Sequence, residues 1–429
     1  MREMKDSGIE WVGQFPNNWK LKKGKYLFKQ HNNRGNLKCL QLLSPSQKFG
    51  VIPQTLLEEL TTQNVVKVSE KANLNDFKTV HVGDFCISLR SFQGGFEYSR
   101  YEGVVSPAYQ IFSAIGDNLC DGYYRYLFKD KSFIDKMNSY TMTLRDGKNI
   151  AFDDFGNTYI PVPPKSEQEK IANFLDSKCS EIDAISADIQ KEIEILEQYK
   201  RSVITEAVTK GLNPDVEMKD SGIEWVGSIP VHWDTIPIRY LFAECRLKNI
   251  LNQEKTALKF TYGTIIKKTN FDSDSDEYVA NTMTNYTVVY PGTIMINGLN
   301  LNYDFVSQRV GLVKDRGAIT SAYLAIVPGS RVVSEYANYQ LKSWDYAKAF
   351  HNMGTGVRKT LDFSELGKKY FVTPSIEEQS KIVAFLDSKC KEIEAIIASK
   401  KQQLTVIDSY KKSLIYEYVT GKKEVPAQN

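Results

Sequence analysis

A block of sequence that occurs twice constrains the fold of this chain more than any other feature. EQEKIANFLDSKCSEI at residues 167–182 returns as EQSKIVAFLDSKCKEI at residues 378–393, an offset of 211 residues. A second block, MKDSGIEWVG at residues 4–13, returns at residues 218–227 with an offset of 214 residues. The chain therefore consists of two copies of one unit, and each copy runs as a short lead segment, a variable body and a long helix.

Apolar residues after each body recur every seven residues, which is the period of a coiled coil. The first copy has Leu175, Ile182, Ile189, Leu196 and Val203, with Ile185 and Tyr199 predicted at the complementary seam positions. The second copy has Leu386, Ile393, Ile407 and Leu414 with Ile396 and Tyr410, and Lys400 stands where Ile189 stood. Neither helix can bury such a stripe alone, so we expect the two stripes to pack on each other. The alternative is that each helix only covers its own body.

Composition bounds the class of protein. The chain has 429 residues, 42% of them hydrophobic and 25% charged, which is typical of a globular protein of two to four domains. Its net charge of only +3 means that any basic surface for nucleic acid must be local. No segment approaches the roughly 20 apolar residues of a membrane span, and we expect a cytoplasmic protein. The six cysteines form no CxxC pair and the four histidines lack metal-ligand spacing, so no metal site is predicted.

The repeats divide the chain into segments. Two lead segments, at residues 1–19 and 212–233, are short, turn-rich and aromatic, and we expect them to be straps that hold each body against a helix; the alternative is a partner contact. The bodies, at residues 20–162 and 234–372, show a mixed pattern in which strands are prominent. TVHVGDFCISL at residues 79–89 predicts a strand entered through a Gly-Asp turn, and VVYPGTIMIN at residues 288–297 matches it.

The two bodies differ most just after these matched strands, at residues 90–101 and 298–310, where a binding surface would vary. Side chains there match the hydrogen-bonding edges of DNA bases. The candidates are Arg90, Ser91, Gln93 and Arg100 in the first body and Asn300, Asn302, Gln308 and Arg309 in the second, together with Asn297, which directly precedes the second segment. Gly94 and Gly95 would let the backbone approach a phosphate, and Lys148, Arg358 and Lys359 are candidates for phosphate contacts. The alternative is that all of these form ordinary polar loops.

Several motifs together resemble one known family, the specificity subunit of type I restriction-modification systems. They are FDDFGNTYIPVPP at residues 152–164 followed by EQEKIANFLD, GDFCISLRSFQGGFEYSRYEGVVSPAY at residues 83–109, and GIEWVGSIPVHW at residues 222–233. The family's Pro-Pro-x-x-Glu-Gln signature maps onto Pro163, Pro164, Glu167 and Gln168, and onto Pro374, Glu378 and Gln379 in the second copy, where Ser375 replaces the second proline. The resemblance covers essentially the whole chain.

The resemblance implies an α+β fold in which two mixed α/β target recognition domains are separated by two long helices. These helices, at residues 163–211 and 373–422, would form an antiparallel coiled-coil spacer with pseudo-two-fold symmetry, followed by a tail at residues 423–429. The implied function is to recognise a bipartite double-stranded DNA target with an unread spacer. The implied partners are two methyltransferase subunits and restriction subunits, and S-adenosylmethionine, ATP and Mg²⁺ are expected on those partners and none in this chain.

The repeated helix starts are our candidates for the methyltransferase contact. The residues are Glu167, Gln168, Lys170, Glu378, Gln379 and Lys381; the alternative is that they only cap the helix, since Ser166 begins a common N-terminal pattern. Catalysis by the chain alone is not expected, because it lacks an Asn/Asp-Pro-Pro-Tyr/Phe loop, a GxSxG elbow, an HExxH helix and a phosphate loop. A coiled-coil adaptor without DNA binding is the competing interpretation.

Overall fold

The chain divides into two compact units, each of which contains one lead segment, one body and parts of both long helices. A computed structural model describes residues 2–34, 41–61, 76–87, 95–140, 150–268, 283–301, 308–354 and 359–426. Unit 1 comprises Met1–Ile189 and Gln402–Asn429, and unit 2 comprises Gln190–Lys401. The unit boundaries thus fall inside the helices and not between the sequence repeats.

The described part of the first copy consists of short strands with short helices among them and ends in one long helix. Its strands are β1 (Met4–Asp6), β2 (Gln14–Pro16), β3 (Lys20–Lys23), β4 (Phe28–His31), β5 (Leu43–Ser46), β6 (Gly50–Pro53), β7 (Lys78–Val80), β8 (Phe85–Ile87), β9 (Phe96–Tyr98), β10 (Gly103–Val105), β11 (Gln110–Ala114) and β12 (Tyr159–Val162). Its helices are α1 (Gln54–Leu60), α2 (Asp121–Leu127), α3 (Lys131–Ser139), α4 (Phe152–Asn157) and the long α5 (Lys165–Lys210).

The second copy repeats this plan. Its strands are β13 (Met218–Asp220), β14 (Ser228–Pro230), β15 (Asp234–Pro237), β16 (Phe242–Glu244), β17 (Leu258–Thr261), β18 (Thr264–Lys267), β19 (Thr287–Val289), β20 (Ile294–Ile296), β21 (Val310–Leu312), β22 (Gly317–Ile319), β23 (Leu324–Pro328) and β24 (Tyr370–Thr373). Its helices are α6 (Ser334–Tyr346), α7 (Phe363–Leu366) and the long α8 (Ile376–Val419).

Both bodies are built around the same antiparallel four-stranded sheet. The strand order is β4-β11-β8-β9 in body 1 and β16-β23-β20-β21 in body 2. In body 1 the sheet packs on α2, α3 and α4 through a cluster of buried aromatic rings, and Phe112 stacks on Phe85 with 5.3 Å between ring centroids. Such pairs add roughly 0.5–1.5 kcal/mol beyond the burial of their area. The α+β architecture predicted from the sequence is confirmed.

The matched strand blocks of the two bodies each hold two strands, where the sequence predicts one. In body 1 the turn at Gly83 separates β7, which pairs with β10, from β8, which pairs with β11 and β9. Gly292 separates β19 from β20 in the same way. Both glycines have positive φ, +99° and +89°, a conformation that redirects the chain into a second sheet and that other residues rarely adopt.

Within each unit the segments of the two long helices run antiparallel. In unit 1, the Phe174 ring packs against the Tyr418 ring at a tilt of 40°, and Asp183 further along α5 pairs with Lys411 earlier in α8. In unit 2, Glu192 pairs with Lys400, and Lys200 further along α5 pairs with Glu394 earlier in α8. The two helices therefore run in opposite directions there as well. The predicted antiparallel packing of the two stripes is therefore found in both units.

The sequence-based prediction assigned the second set of seam positions in the heptad to the wrong residues. The seven-residue set is at least partly buried, but Ile185, Tyr199, Ile396 and Tyr410 are exposed. The complementary seam positions lie four residues after each repeat position, not three, and are occupied by Cys179, Ser186, Ile193 and Lys200 in α5 and by Cys390, Ile397, Leu404, Lys411 and Tyr418 in α8. A seam needs alternating steps of three and four residues, and either order fits a seven-residue period.

The lead segments pack as straps on the long helices, as the sequence predicts. In unit 1 the buried Trp19 indole donates to Glu167 near the start of α5, and Tyr123 of α2 packs edge-on against its ring. In unit 2 the ring of the buried Trp233 lies against Gly211, just beyond the end of α5. Each strap thus joins its body to helix ends inside the same unit.

Candidate functional site

Half of the residues predicted to contact DNA lie outside the described residues. These are Arg90, Ser91, Gln93, Gly94, Lys148, Asn302 and Arg358. The others fall in two places: Gly95 and Arg100 in body 1, and Asn297, Asn300, Gln308, Arg309 and Lys359 in body 2.

Arg309 is a structural residue and not a base-reading one, which corrects the prediction from the sequence. It is 7% exposed, and its guanidinium donates to the carbonyl oxygens of Asn297 and Leu299 at 2.8 and 2.9 Å. Its backbone N–H donates to the buried carboxylate of Asp345 at 2.7 Å. Because its donors are directed at the backbone of the loop after β20, Arg309 holds the shape of that loop.

The Arg309 loop gathers the other predicted residues of body 2. The carboxamide oxygen of Asn297 accepts from the backbone of Leu299, and Asn300 has a left-handed φ of +49°. Leu301 donates from its backbone to the carbonyl of Lys359, which brings the segment before α7 onto the loop. The exposed side chains are Asn300 and Gln308, and they remain candidates for DNA contact.

The two predicted residues in body 1 have different surroundings. Gly95 is buried with a φ of +50°, so a need for this backbone conformation explains the glycine, and an approach to phosphate does not. Arg100 is exposed and lies near Arg125, whose guanidinium stacks on Tyr98 and pairs with Asp176. Burial lowers the pKa of Arg125, and the charge of Arg100 lowers it further. This basic pair remains a candidate for phosphate contact.

A polar cleft of about 460 Å³ in body 1 was missed by the sequence reasoning. Asp84 lies in the wall of this cleft, and its buried carboxylate accepts from the His81 backbone at 2.7 Å and lies 3.3 Å from His31 Nε2. The lining residues are Lys29, Gln30, His31, Asn32, Asn33, His81, Asp84 and Ser113. Amide, imidazole and ammonium groups of this kind match the edges and phosphates of nucleic acid. The His-Asn-Asn-Arg run at residues 31–34 was the available signal.

A buried ion pair lies beside the outer strand of the body 1 sheet. Glu97 of β9 is 1% exposed and accepts from Lys129 Nζ at 2.7 Å through both carboxylate oxygens. Burial raises the pKa of the Glu97 carboxyl, and the ammonium of Lys129 opposes that shift. The pair orients the edge strand that precedes Arg100.

The repeated glutamines at the helix starts are buried structural caps, so the predicted partner contact is wrong for them. Gln168 accepts from the backbone of Cys120 and donates to the Pro163 carbonyl, both at 2.8 Å. Gln379 repeats the pattern, accepting from Val333 at 2.8 Å and donating to Pro374 at 2.9 Å. Both side chains are 0% exposed and join the helix start to the body of the same unit.

The charged residues beside these caps differ in their partners. Arg2 and the Trp19 indole both contact the Glu167 carboxylate, and His232 contacts Glu378 at 3.1 Å. Lys170 and Lys381 are exposed, and Lys381 pairs with Glu377 one turn earlier. The prediction of a partner contact stands for the two lysines, while Glu167 and Glu378 are partly engaged by the straps.

Exposed apolar side chains stand at equivalent positions of the long helices in each unit. In unit 1 they are Ile185 of α5 with Val406 and Tyr410 of α8. The residues at the repeat-related positions in unit 2 are Ile396 of α8 with Ile195 and Tyr199 of α5. Tyr410 lies near Lys178, and Tyr199 lies near the corresponding Lys389. We call these the two apolar patches.

Two classes of site are absent from the described ranges. No three or more His, Cys, Asp and Glu side chains there are grouped so that they could bind a metal ion. None of the helices in that part of the chain has the length and apolar character to cross a membrane.

Comparisons with known proteins show what the chain is similar to. Residues 17–195 match the family model of the type I restriction modification DNA specificity domain. The chain is 24% identical over 294 residues to the type I restriction enzyme MjaVIII specificity subunit of Methanocaldococcus jannaschii, a match that covers 64% of each chain. It is 21% identical over 306 residues to the EcoBI specificity subunit of Escherichia coli, covering 64% of this chain and 60% of that one. The chain thus spans less than two thirds of the length of these curated relatives.

Solved structures share the fold. A chain from a structural study of complex assembly and conformational transition in the type I R-M system superposes with a TM-score of 0.67 at 12% identity, covering 95% of this chain and 99% of that one. The HsdS subunit from Thermoanaerobacter tengcongensis gives a TM-score of 0.50, also at 12% identity, with coverage of 97% and 100%. Together with the domain match, these similarities confirm the family resemblance predicted from the sequence.

Proposed function

We propose that the chain belongs to the specificity-subunit family of type I restriction-modification systems and is the DNA-recognition subunit of such a complex, as the domain match and the shared fold support. Body 1 and body 2 each bind one half of a bipartite duplex target, and the spacer between the halves is not read. Methyltransferase and restriction subunits carry out modification and cleavage, so this chain is non-catalytic. S-adenosylmethionine, ATP and Mg²⁺ are bound by those partners.

The observation that carries this proposal is that both bodies have the same framework but different surface chemistry. In body 1, His31 at the end of β4 faces Ile111 of β11. At the equivalent place in body 2, Cys245 directly follows β16 and faces Ala325 of β23. The turn before β8 carries Asp84, which lines the body 1 cleft, and the equivalent turn before β20 in body 2 carries Thr293 at that position. Two domains that recognise different DNA sequences need the same framework with different polar groups on it, and this is what the two bodies have.

The competing proposal is a coiled-coil adaptor that does not bind DNA. An adaptor needs the helices and the straps, but it has no use for a cleft with a buried carboxylate, two imidazoles and amides at its wall. The polar surfaces of the two bodies therefore favour DNA recognition.

The two apolar patches support a partner stoichiometry of two. Ile185, Val406 and Tyr410 occupy the same repeat positions as Ile396, Ile195 and Tyr199 and are exposed in the same way. A chain that presents one patch twice binds two copies of one partner. We assign the methyltransferase subunits to these patches, with Lys170 and Lys381 at the polar edge of each interface.

Exchange of one body tests DNA recognition. Residues 20–162 are replaced by the corresponding body of another specificity subunit, and the methylated motifs of the host DNA are mapped by sequencing. We expect one half of a bipartite motif to change while the other half and the spacer stay the same. If both halves changed, or if neither changed, one body per half-site would be excluded. If the chain together with its methyltransferase partner bound no defined duplex in the presence of competitor DNA, the proposal of a coiled-coil adaptor without DNA binding would be favoured instead.

Charge placed in one patch at a time tests the stoichiometry. We expect native mass measurement to find two methyltransferase subunits on the wild-type chain and one on either Tyr199→Asp or Tyr410→Asp. Glu194→Ala, at an exposed position of α5, is the control and should keep two subunits. A fully active complex with one subunit per wild-type chain would contradict the assignment.

A further inference from the structure

The hairpin β17–β18 of body 2 has an unusual residue at its tip. Thr261 pairs with Thr264, so Tyr262 and Gly263 alone form the turn, and their φ angles are +46° and +71°. A two-residue turn with positive φ at both positions is type I′, in which asparagine followed by glycine is preferred. A bulky side chain with positive φ is an outlier, so Tyr262 is a poor choice for forming this turn.

The Tyr262 side chain does not compensate through packing. It is 81% exposed, and no hydrogen bond or ring contact of Tyr262 is found among the described residues. A buried aromatic residue contributes to a core, but an exposed one at a strained position is explained by neither the turn nor the core. This points to a ligand outside the chain.

The surroundings of the tip match nucleic acid. Lys259, Lys267 and Lys268 are exposed on the same hairpin, with Lys267 paired to Asp315 at 2.9 Å. A Cβ atom at Gly263 would lie 3.3 Å from the Val310 carbonyl and 3.7 Å from Cβ of Gln308. The tip therefore lies directly beside Gln308, one of the exposed candidates for a base contact.

Body 1 has a counterpart with a different loop. In the hairpin β5–β6, Ser46 pairs with Gly50, and Lys48 lies 5.1 Å from the centre of the Phe49 ring at the tip. A Cβ atom at Gly50 would lie 2.6 Å from the carbonyl of Tyr98, just as Gly263 packs on Val310 of the matching strand. Both hairpins thus pack a glycine of the turn against the outer strand of the sheet and carry an aromatic residue next to that glycine, although their turns differ in length.

We propose that Tyr262 is a DNA-contacting residue whose ring stacks against a base or a base step of the duplex bound by body 2, with Lys259 positioned for the adjacent phosphate. Phe49 and Lys48 have the same role in body 1. Stacking on an aromatic face tolerates any base, so this contact supplies affinity and distorts the duplex locally, while neighbours such as Gln308 read the sequence. The inference rests on the proposed function of DNA recognition.

Binding measurements on the full chain test the role of Tyr262. The probe is a fluorescein-labelled pool of 40-bp duplexes with a randomised centre, titrated at one fixed salt concentration and followed by anisotropy. We expect Tyr262→Asn to bind roughly tenfold more weakly and Tyr262→Phe to stay within about twofold of wild type. Tyr240→Asn, an exposed tyrosine elsewhere in body 2, is the matched control and should not change binding.

Two further measurements separate a binding role from a folding role. Because Asn-Gly suits this turn, Tyr262→Asn should melt at the wild-type temperature or higher. Duplexes containing 5-iododeoxyuridine should photo-crosslink to the wild-type chain on the tryptic peptide at residues 260–267. Unchanged binding by Tyr262→Asn, or crosslinks that never reach this peptide, would overturn the inference while leaving the proposed function intact. A wild-type chain that binds no duplex would overturn both.

Discussion

Lys411 donates through Nζ to both carboxylate oxygens of Asp183, at 2.6 and 2.7 Å. The pair Lys200 and Glu394 in unit 2 stands at the same positions of the sequence repeat, with a distance of 2.5 Å. The same cross-helix contact is thus formed once in each unit, and it fixes which turn of α5 faces which turn of α8.

These ion pairs set register and add little stability. The side chain of Asp183 is 63% exposed, and exposed pairs of this kind contribute about 0.2–1 kcal/mol. In a double-mutant cycle with Asp183→Asn and Lys411→Met, we expect a coupling energy of about 0.5 kcal/mol from urea unfolding. A coupling above about 2 kcal/mol would mean that the pair is a stabilising contact in its own right.

The corrected heptad phase predicts opposite outcomes for two isoleucines of α5. Ile193 is buried in the seam, so Ile193→Ala should lower the free energy of unfolding by about 2–4 kcal/mol. Ile195 is exposed in an apolar patch, so Ile195→Ala should cost less than about 0.5 kcal/mol. Thermal denaturation of the two variants checks this, and each serves as the control for the other.

The variants Ile193→Ala and Ile195→Ala should also differ in how they affect partner binding under the proposed function. Ile195→Ala should weaken the interaction with the methyltransferase subunit, since its side chain belongs to a patch, while a folded Ile193→Ala should not. Equal stability losses in the two variants would contradict the corrected phase, in which Ile193 lies in the seam and Ile195 does not.

The sequence predicts the repeat, the helices and the strand-rich bodies because each appears in the sequence as a periodic pattern of apolar residues or as a match between two segments. It does not predict the phase of the seam, because steps of three and four residues fit the same seven-residue spacing. Ile185 and Ile193 look alike in a helix, and only the position of the second helix determines that one is exposed and the other buried.

The helix-start glutamines show a second limit of sequence reasoning. A repeated Glu-Gln pair suggests a shared surface, yet the side-chain oxygens of Gln168 and Gln379 accept from backbone N–H groups 48 and 46 residues earlier in the chain. Residues repeated for internal packing and residues repeated for a partner have the same appearance in a sequence. Side-chain burial distinguishes them.

The buried glutamine caps predict a large stability loss. Gln168→Ala leaves the backbone N–H of Cys120 and the carbonyl of Pro163 without their partner, at a cost of about 2–4 kcal/mol. We expect Gln379→Ala to behave the same way in unit 2. The neighbouring Glu169→Ala is the matched control, because that side chain is exposed and its loss should cost less than about 0.5 kcal/mol. Urea denaturation measures all three variants.

Arg309 and Gln308 separate structure from recognition at adjacent positions. Arg309→Met removes the donors to the carbonyls of Asn297 and Leu299 and should destabilise the chain by about 2–3 kcal/mol. Gln308→Ala should leave the melting temperature unchanged but reduce affinity for the preferred duplex, as a lost base contact costs about 1–3 kcal/mol. A stable Arg309→Met variant with lost sequence preference would restore Arg309 as a base reader.

Asp121, at the start of α2, predicts a pH dependence of stability. Burial, with a smaller effect from the charge of Asp84, raises the pKa of the Asp121 carboxyl to about 6. Between its ordinary pKa of 3.8 and this value, the unfolded chain loses the proton while the folded chain keeps it. Folding stability from this group is therefore fully present below about pH 4 and is lost as the pH rises through 6.

Replacing Asp121 by asparagine should remove this loss. The melting temperature of Asp121→Asn relative to wild type should rise between pH 4 and pH 7, corresponding to about 1.5 kcal/mol, or half of the full linkage value because the group is partly exposed to solvent. A Cβ atom at Gly83 would lie 3.0 Å from the Asp121 carboxylate, and asparagine keeps the size of the side chain at this close approach. Asp117→Asn, at an exposed position in the same unit, is the matched control variant. A difference between Asp121→Asn and wild type that stayed constant over this range would mean that Asp121 titrates normally in the folded chain.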